Sequence, residues 1–100
     1  TNRSNHMKPS QANWKAIDLT GIVLRQEPAF MTVIIVPCMG PDGRCWQRFS
    51  HQLLQWSTPD VNEVVDEVDA GWSNPDIKVE ILTQDLPLTE TGQLDPFSIL

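Results

Sequence analysis

The chain has 100 residues, with seven Lys or Arg against thirteen Asp or Glu, a net charge of −6 and a sequence pI near 4.6. That length fits one small domain able to bury a single modest core without staples. The acidic balance argues against general nucleic-acid binding, which needs clustered Lys and Arg, and no apolar run approaches the roughly 18 residues of a membrane-spanning helix.

Residues 1–7, TNRSNHM, read as a vector-derived remnant ahead of a natural start at Met7. Residues 8–83 read as one α+β domain and residues 84–100 as an extended C-terminal tail. Residues 8–15 are a polar lead-in whose Trp14 caps the core. Residues 16–25, AIDLTGIVLR, alternate Ile17, Leu19 and Val23 against Asp18 and Thr20, which predicts a strand. Residues 29–37, AFMTVIIVP, are apolar on both faces, as in a central strand.

The GPDG at residues 40–43 predicts a hairpin. Pro41 suits the first central position of a type I turn, Asp42 the second, and Gly43 a positive-φ bulge. Gly40 then pairs with Arg44, Cys38 with Trp46 and Ile35 with Phe49. One face collects Met31, Val33, Ile35, Phe49 and Leu53, a core face. The other carries Arg44, Trp46, Arg48, Ser50 and Gln52, a wetter face. In this register Cys38 and Cys45 leave opposite faces. A strict two-residue loop would pair them directly and permit a bridge.

A helix is predicted over 59–70, with Thr58 as N-cap and Pro59 at N1. Val61, Val64, Val65 and Val68 form one helical stripe, and Gly71 supplies the stop. SNPD is a turn, and residues 76–83 alternate Ile77, Val79 and Ile81 against Lys78, Glu80 and Leu82, a strand. The expected fold is a small two-layer α+β unit. A mainly antiparallel sheet of about four strands, in the order β-β-β-α-β, has one helix packed on one face.

Catalytic chemistry finds little support. Cys45 and His51 lie about 20 Å apart along one strand, too far for a nucleophile and its base. Cys38, Cys45 and His51 lack a fourth zinc ligand. No phosphate loop or dinucleotide fingerprint is present. We therefore expect no enzyme activity, cofactor or metal. Two cysteines are too few for a disulfide framework, so a reducing, cytoplasmic setting is the default.

Three surfaces are candidate partner sites. Arg44, Trp46 and Arg48 form a stripe with a Trp between arginines, the type of anchor found at protein interfaces. Cover by another part of the chain is the competing reading. Asp60, Glu63, Asp66, Glu67 and Asp69 give the helix an acidic face, unopposed by Lys or Arg at i+4. Phe97, Ile99 and Leu100 end a polar tail with an apolar cluster suited to docking, and Phe97 and Ile99 alternate as an added strand would. The expected function is a non-catalytic protein-interaction module, with a second copy of itself among the candidate partners. The alternative is a small acidic inhibitor or nucleic-acid mimic that blocks a basic target. Nucleic acid and membrane are not expected partners.

Overall fold

A computed structural model describes residues 11–26, 31–83 and 85–100. The proposed remnant at 1–7 and the start of the lead-in lie outside the described residues. Helix α1 spans Gln11–Thr20 and strand β1 spans Ile22–Gln26. Strands β2 (Val33–Gly40) and β3 (Gly43–Ser50) form a hairpin, followed by the short strand β4 (Gln55–Ser57). Helix α2 (Val61–Ser73) leads to strand β5 (Ile77–Ile81). The strands make one antiparallel five-stranded sheet in the order β4-β3-β2-β1-β5. The α+β class and the helix laid on a sheet are as expected, and β2 is central as its two apolar faces required.

The expected strand over 16–25 is wrong in its first half. Ile17 is fully buried, but Leu19 is 62% exposed. The apolar positions that matter are Trp14 and Ile17, three residues apart and on one side of a helix. Gly21 ends α1 with φ +100°, and its N–H donates to the Ile17 carbonyl at 2.8 Å. A Cβ there would sit 2.5 Å from the Ile35 carbonyl oxygen, so the chain reverses against β2 only with glycine. The Thr20 hydroxyl lies 3.0 Å from the Ala16 carbonyl and 2.6 Å from that of Leu82, and its single proton serves one at a time.

The hairpin also differs from expectation. Gly43 does have positive φ, at 109°. The register nevertheless pairs Gly40 with Gly43, Cys38 with Cys45 and Pro37 with Trp46. Pro41 and Asp42 thus form a strict two-residue loop. One step of register moves a whole strand's side chains to the opposite face. Ile35 therefore shares a face with Trp46 and Arg48, and Ile34 shares the other with Phe49. Cys38 and Cys45 face each other across the ladder, with Cα atoms 5.1 Å apart, and are joined as a disulfide.

Both faces of the sheet are covered. On the helix side, Ile17, Ile22, Leu24, Ile35, Trp46, Val64 and Val68 pack as one cluster. The valine stripe supplies Val64 and Val68, both fully buried, while Val61 is 57% exposed. Its N-cap is Asp60 rather than Thr58, in a capping box with Glu63. Gly71 is not the stop: it lies buried inside α2, where a Cβ would press on the Leu24 methyls at 3.0 Å.

On the opposite face, Val23, Ile34, Val36, Phe49 and Leu82 form a second cluster. Leu86, Leu94, Ile99 and Leu100 cover it. The segment expected to be a separate extended tail thus folds back over the sheet. A bridge between Leu88 and Leu94 holds a turn there, and a 3-10 turn follows at Pro96–Ser98, where an added strand had been expected. The Arg25 guanidinium donates to the Ile99 carbonyl and fixes the last residues at the sheet margin.

Candidate functional site

The arginine–tryptophan stripe is an internal device. Arg44, Trp46 and Arg48 do share a face, but the register turns that face toward the helices. Trp46 is 8% exposed and belongs to the helix-side core. Arg44 donates to the Asp18 carboxylate at 3.0 Å and to the Asp18 carbonyl, tying the hairpin to α1. Arg48 forks onto Glu67 of α2 with bonds of 2.7 and 2.8 Å. These bonds hold the Arg48 pKa above its ordinary value against the opposing pull of partial burial, and the Glu67 and Glu63 charges add to the rise. The guanidinium is therefore charged at any accessible pH.

The acidic face of α2 is smaller than its sequence implied. The Asp60 carboxylate accepts the Glu63 N–H at 2.9 Å, and the Glu63 carboxylate accepts the Asp60 N–H at 3.4 Å. Glu67 is committed to Arg48. Asp66, exposed, and Asp69, half-buried, are the two remaining acids of the set. Three of the five thus have roles inside the fold.

Ile99 and Leu100 pack on the second cluster, whereas Phe97 is 65% exposed. The Phe97 ring meets Phe49 edge-on with centroids 5.7 Å apart. Phe49 meets Trp56 from β4 at 5.2 Å. An aromatic line therefore runs from the core outward to two exposed rings. Beside it lies a cleft of about 480 Å3 lined by Leu19, Val36, Trp56, Leu88 and Leu94. Leu19, Leu88 and Trp56 are 62%, 58% and 37% exposed, so its walls are wet apolar surface. Large exposed apolar groups gathered in one place mark binding surfaces.

Sequence reading missed Trp56 and Leu88. The signal for Trp56 was its position in LLQWSTP, too short for a helix and adjacent to breakers. The real turn is at residues 51–54, where Leu54 adopts φ 54° and both Leu53 and Leu54 are more than 60% exposed. Leu53 and the 38%-exposed Met31 are not the core residues expected of them.

A second cleft, about 290 Å3, opens between α2 and the sheet around Arg48, Glu67, Ser50 and Asn74. Its charges neutralise each other at bonding distance and offer no free ion for a ligand. Cys38 and Cys45 are bridged, which removes both as nucleophiles while the bridge stands. Among the described residues no group of three His, Cys, Asp or Glu side chains is placed to hold a metal ion. No helix among them is long and apolar enough to cross a membrane. Compared with family models, curated proteins and solved structures, the chain matches none of them.

Proposed function

We propose that this chain is a non-catalytic protein-interaction module whose binding surface is the cleft lined by Trp56 and Leu88, extended along the aromatic line through Phe49 to the exposed Phe97 ring. The observation that carries the reading is the exposure of Leu19, Trp56 and Leu88 around one groove, with Phe49 against Trp56 and the exposed Phe97 ring beyond it. Its partner is an extended or helical segment with apolar residues flanked by Lys or Arg. Charge complementarity favours that chemistry. Residues 49–100 hold ten acidic residues against the single Lys78. Asp85 and Glu90 flank cleft-lining Leu86 and Leu88, and neither forms an ion pair among the described residues.

The test is direct binding of synthetic peptides with a leucine- or phenylalanine-rich centre and lysine flanks, read by isothermal titration. Saturable binding that Phe97→Ser and Trp56→Ser weaken, each with a native circular dichroism spectrum, supports the reading. Binding to none of the peptides, or binding indifferent to both changes, refutes it.

The alternative, an acidic inhibitor or nucleic-acid mimic acting through α2, draws less support, because Asp60, Glu63 and Glu67 are occupied within the fold. The reading also places the module in the cytoplasm, where the Cys38–Cys45 pair would be reduced. Disulfides persist in oxidising compartments, so acid-quenched thiol trapping on protein from its native cells decides the point. Two alkylated cysteines support the cytoplasm and an intact bridge contradicts it.

A further inference from the structure

Strand β5 is the outermost strand on its side of the sheet, with no strand beyond it among the described residues. Its register with β1 runs from Ile22 opposite Ile81 to Gln26 opposite Ile77. The Leu82 N–H, donating to the Gly21 carbonyl at 3.0 Å, continues that register by one pair. Bonded and non-bonded pairs alternate along an antiparallel ladder. Glu80 and Lys78 therefore turn their backbone groups inward to β1. Ile77, Val79 and Ile81 turn theirs outward, to the free edge. Of these outward groups the Ile77 N–H is already used, donating to the Asn74 carbonyl at 3.1 Å.

The side chains along this edge are unsatisfied in a second way. Lys78 stands directly opposite Arg25, like charge against like. No carboxylate lies within ion-pair distance of Lys78 among the described residues, while Glu80 reaches Arg25 diagonally at 3.8 Å. Ile77, Val79 and Ile81 pack on the helix-side core yet stay only half-buried.

We propose that β5 is a homodimerisation edge, to which a second copy adds its own β5 antiparallel about a two-fold axis at Val79. The sequence IKVEI is self-complementary about that axis. Lys78 faces Glu80 of the second copy, and Ile77 faces Ile81 of the second copy, each twice by symmetry. The backbone agrees. The two Val79 residues exchange N–H and C=O bonds, and the Ile81 N–H of each copy meets the Ile77 carbonyl of the other. That set leaves out the Ile77 N–H, already bonded to Asn74, and with it the Ile81 carbonyl that this N–H would otherwise meet. Lys78 and Glu80 fall at non-hydrogen-bonded positions, where facing side chains come closest. Moving the axis one residue either way sets Lys78 on Lys78 or Glu80 on Glu80, so charge selects this register.

The proposal rests on the reading of the chain as an interaction module and names a second copy as one partner, through an edge distinct from the Trp56 cleft. It is tested by sedimentation of the purified chain over a concentration series. The expected mass rises toward twice 11.3 kDa. Lys78→Glu and Glu80→Lys, each alone, weaken association about tenfold, because both charge pairs in the dimer turn repulsive. An equal mixture of the two variants restores it, since opposite charges again face each other. Val79→Pro removes an outward N–H at the axis but no bond to β1, and abolishes the dimer with a native circular dichroism spectrum.

A chain that stays monomeric throughout overturns the proposal. So do single charge variants that associate like the wild type, or a mixture that fails to recover. Peptide binding at the cleft is measured on the same variants and is expected to be unchanged. The dimer is likewise expected to survive Phe97→Ser. Loss of one property therefore identifies which claim has failed.

Discussion

Replacing Trp46 by Ala separates a core residue from an interface anchor. Trp46 is 8% exposed and packs with Ile35 and the fully buried Val64 and Val68 under the helices. Truncating a buried Trp costs about 3–5 kcal/mol, from lost transfer energy and from the cavity left behind. A domain of this size has total stability of about 5–15 kcal/mol. Each kcal/mol moves the melting temperature by about 4–8 °C for such a domain, so Trp46→Ala should lower it by at least about 12 °C. Urea unfolding at constant temperature gives the free energy directly, and an unchanged slope confirms that the comparison is of like states. Were the bulged register correct, Trp46 would point away from the core, and its loss would fall within about 0.5 kcal/mol. A change that small would refute the register and the architecture built on it.

Glu67→Gln should destabilise by about 1–2 kcal/mol, since it removes a charge-assisted fork from Arg48 in a partly solvated site; a thermal shift assay checks this, and no change would mean the pair is structurally idle. Leu54→Gly should stabilise by about 1 kcal/mol by relieving the left-handed backbone at an exposed position, and urea titration reads the gain. Deleting residues 95–100 should cost about 2–3 kcal/mol, because it uncovers the Phe49 cluster and removes half-buried Ile99 and Leu100; an unchanged melting temperature would show that this segment does not hold the sheet.

The elements built on long, consistent periodicity were legible in the sequence. The valine spacing of α2 and the alternation of β5 each match one template, and both elements form, although α2 starts and ends two to three residues later than its expected caps. Helix α1 was misread because Ile17, Leu19 and Val23 fit a period of two as well as Trp14 and Ile17 fit a helix. Gly21, a left-handed stop pressed on β2, was the overlooked discriminator. The hairpin sequence identified its turn but not its register, because Gly43 tolerates positive φ with or without an extra residue. That one step reassigned every side chain of the strand and turned the Arg44–Trp46–Arg48 stripe to the helix side, where Trp46 joins the core and the two arginines pair with α1 and α2.

The candidate site was less legible because it depends on long-range placement. Nothing local in the sequence brings Leu88 and Leu94 beside Trp56. The folding-back of residues 85–100 does so, driven by an apolar sheet face that five strands leave uncovered on the side away from the helices. The acidic residues of α2 were visible as a group, yet their tasks were not. Capping by Asp60 and Glu63 and pairing by Glu67 depend on the true helix start and on the position of Arg48.

The central claim is that the Trp56 cleft receives an apolar, lysine-flanked segment of a partner protein. Backbone amide shift mapping tests it most directly, with a synthetic peptide of that chemistry titrated into the isotope-labelled chain. The account predicts saturable shifts confined to residues around Trp56, Leu88, Leu94 and Phe97. Shifts centred on Asp66 and Asp69, or none at saturating peptide, would contradict it.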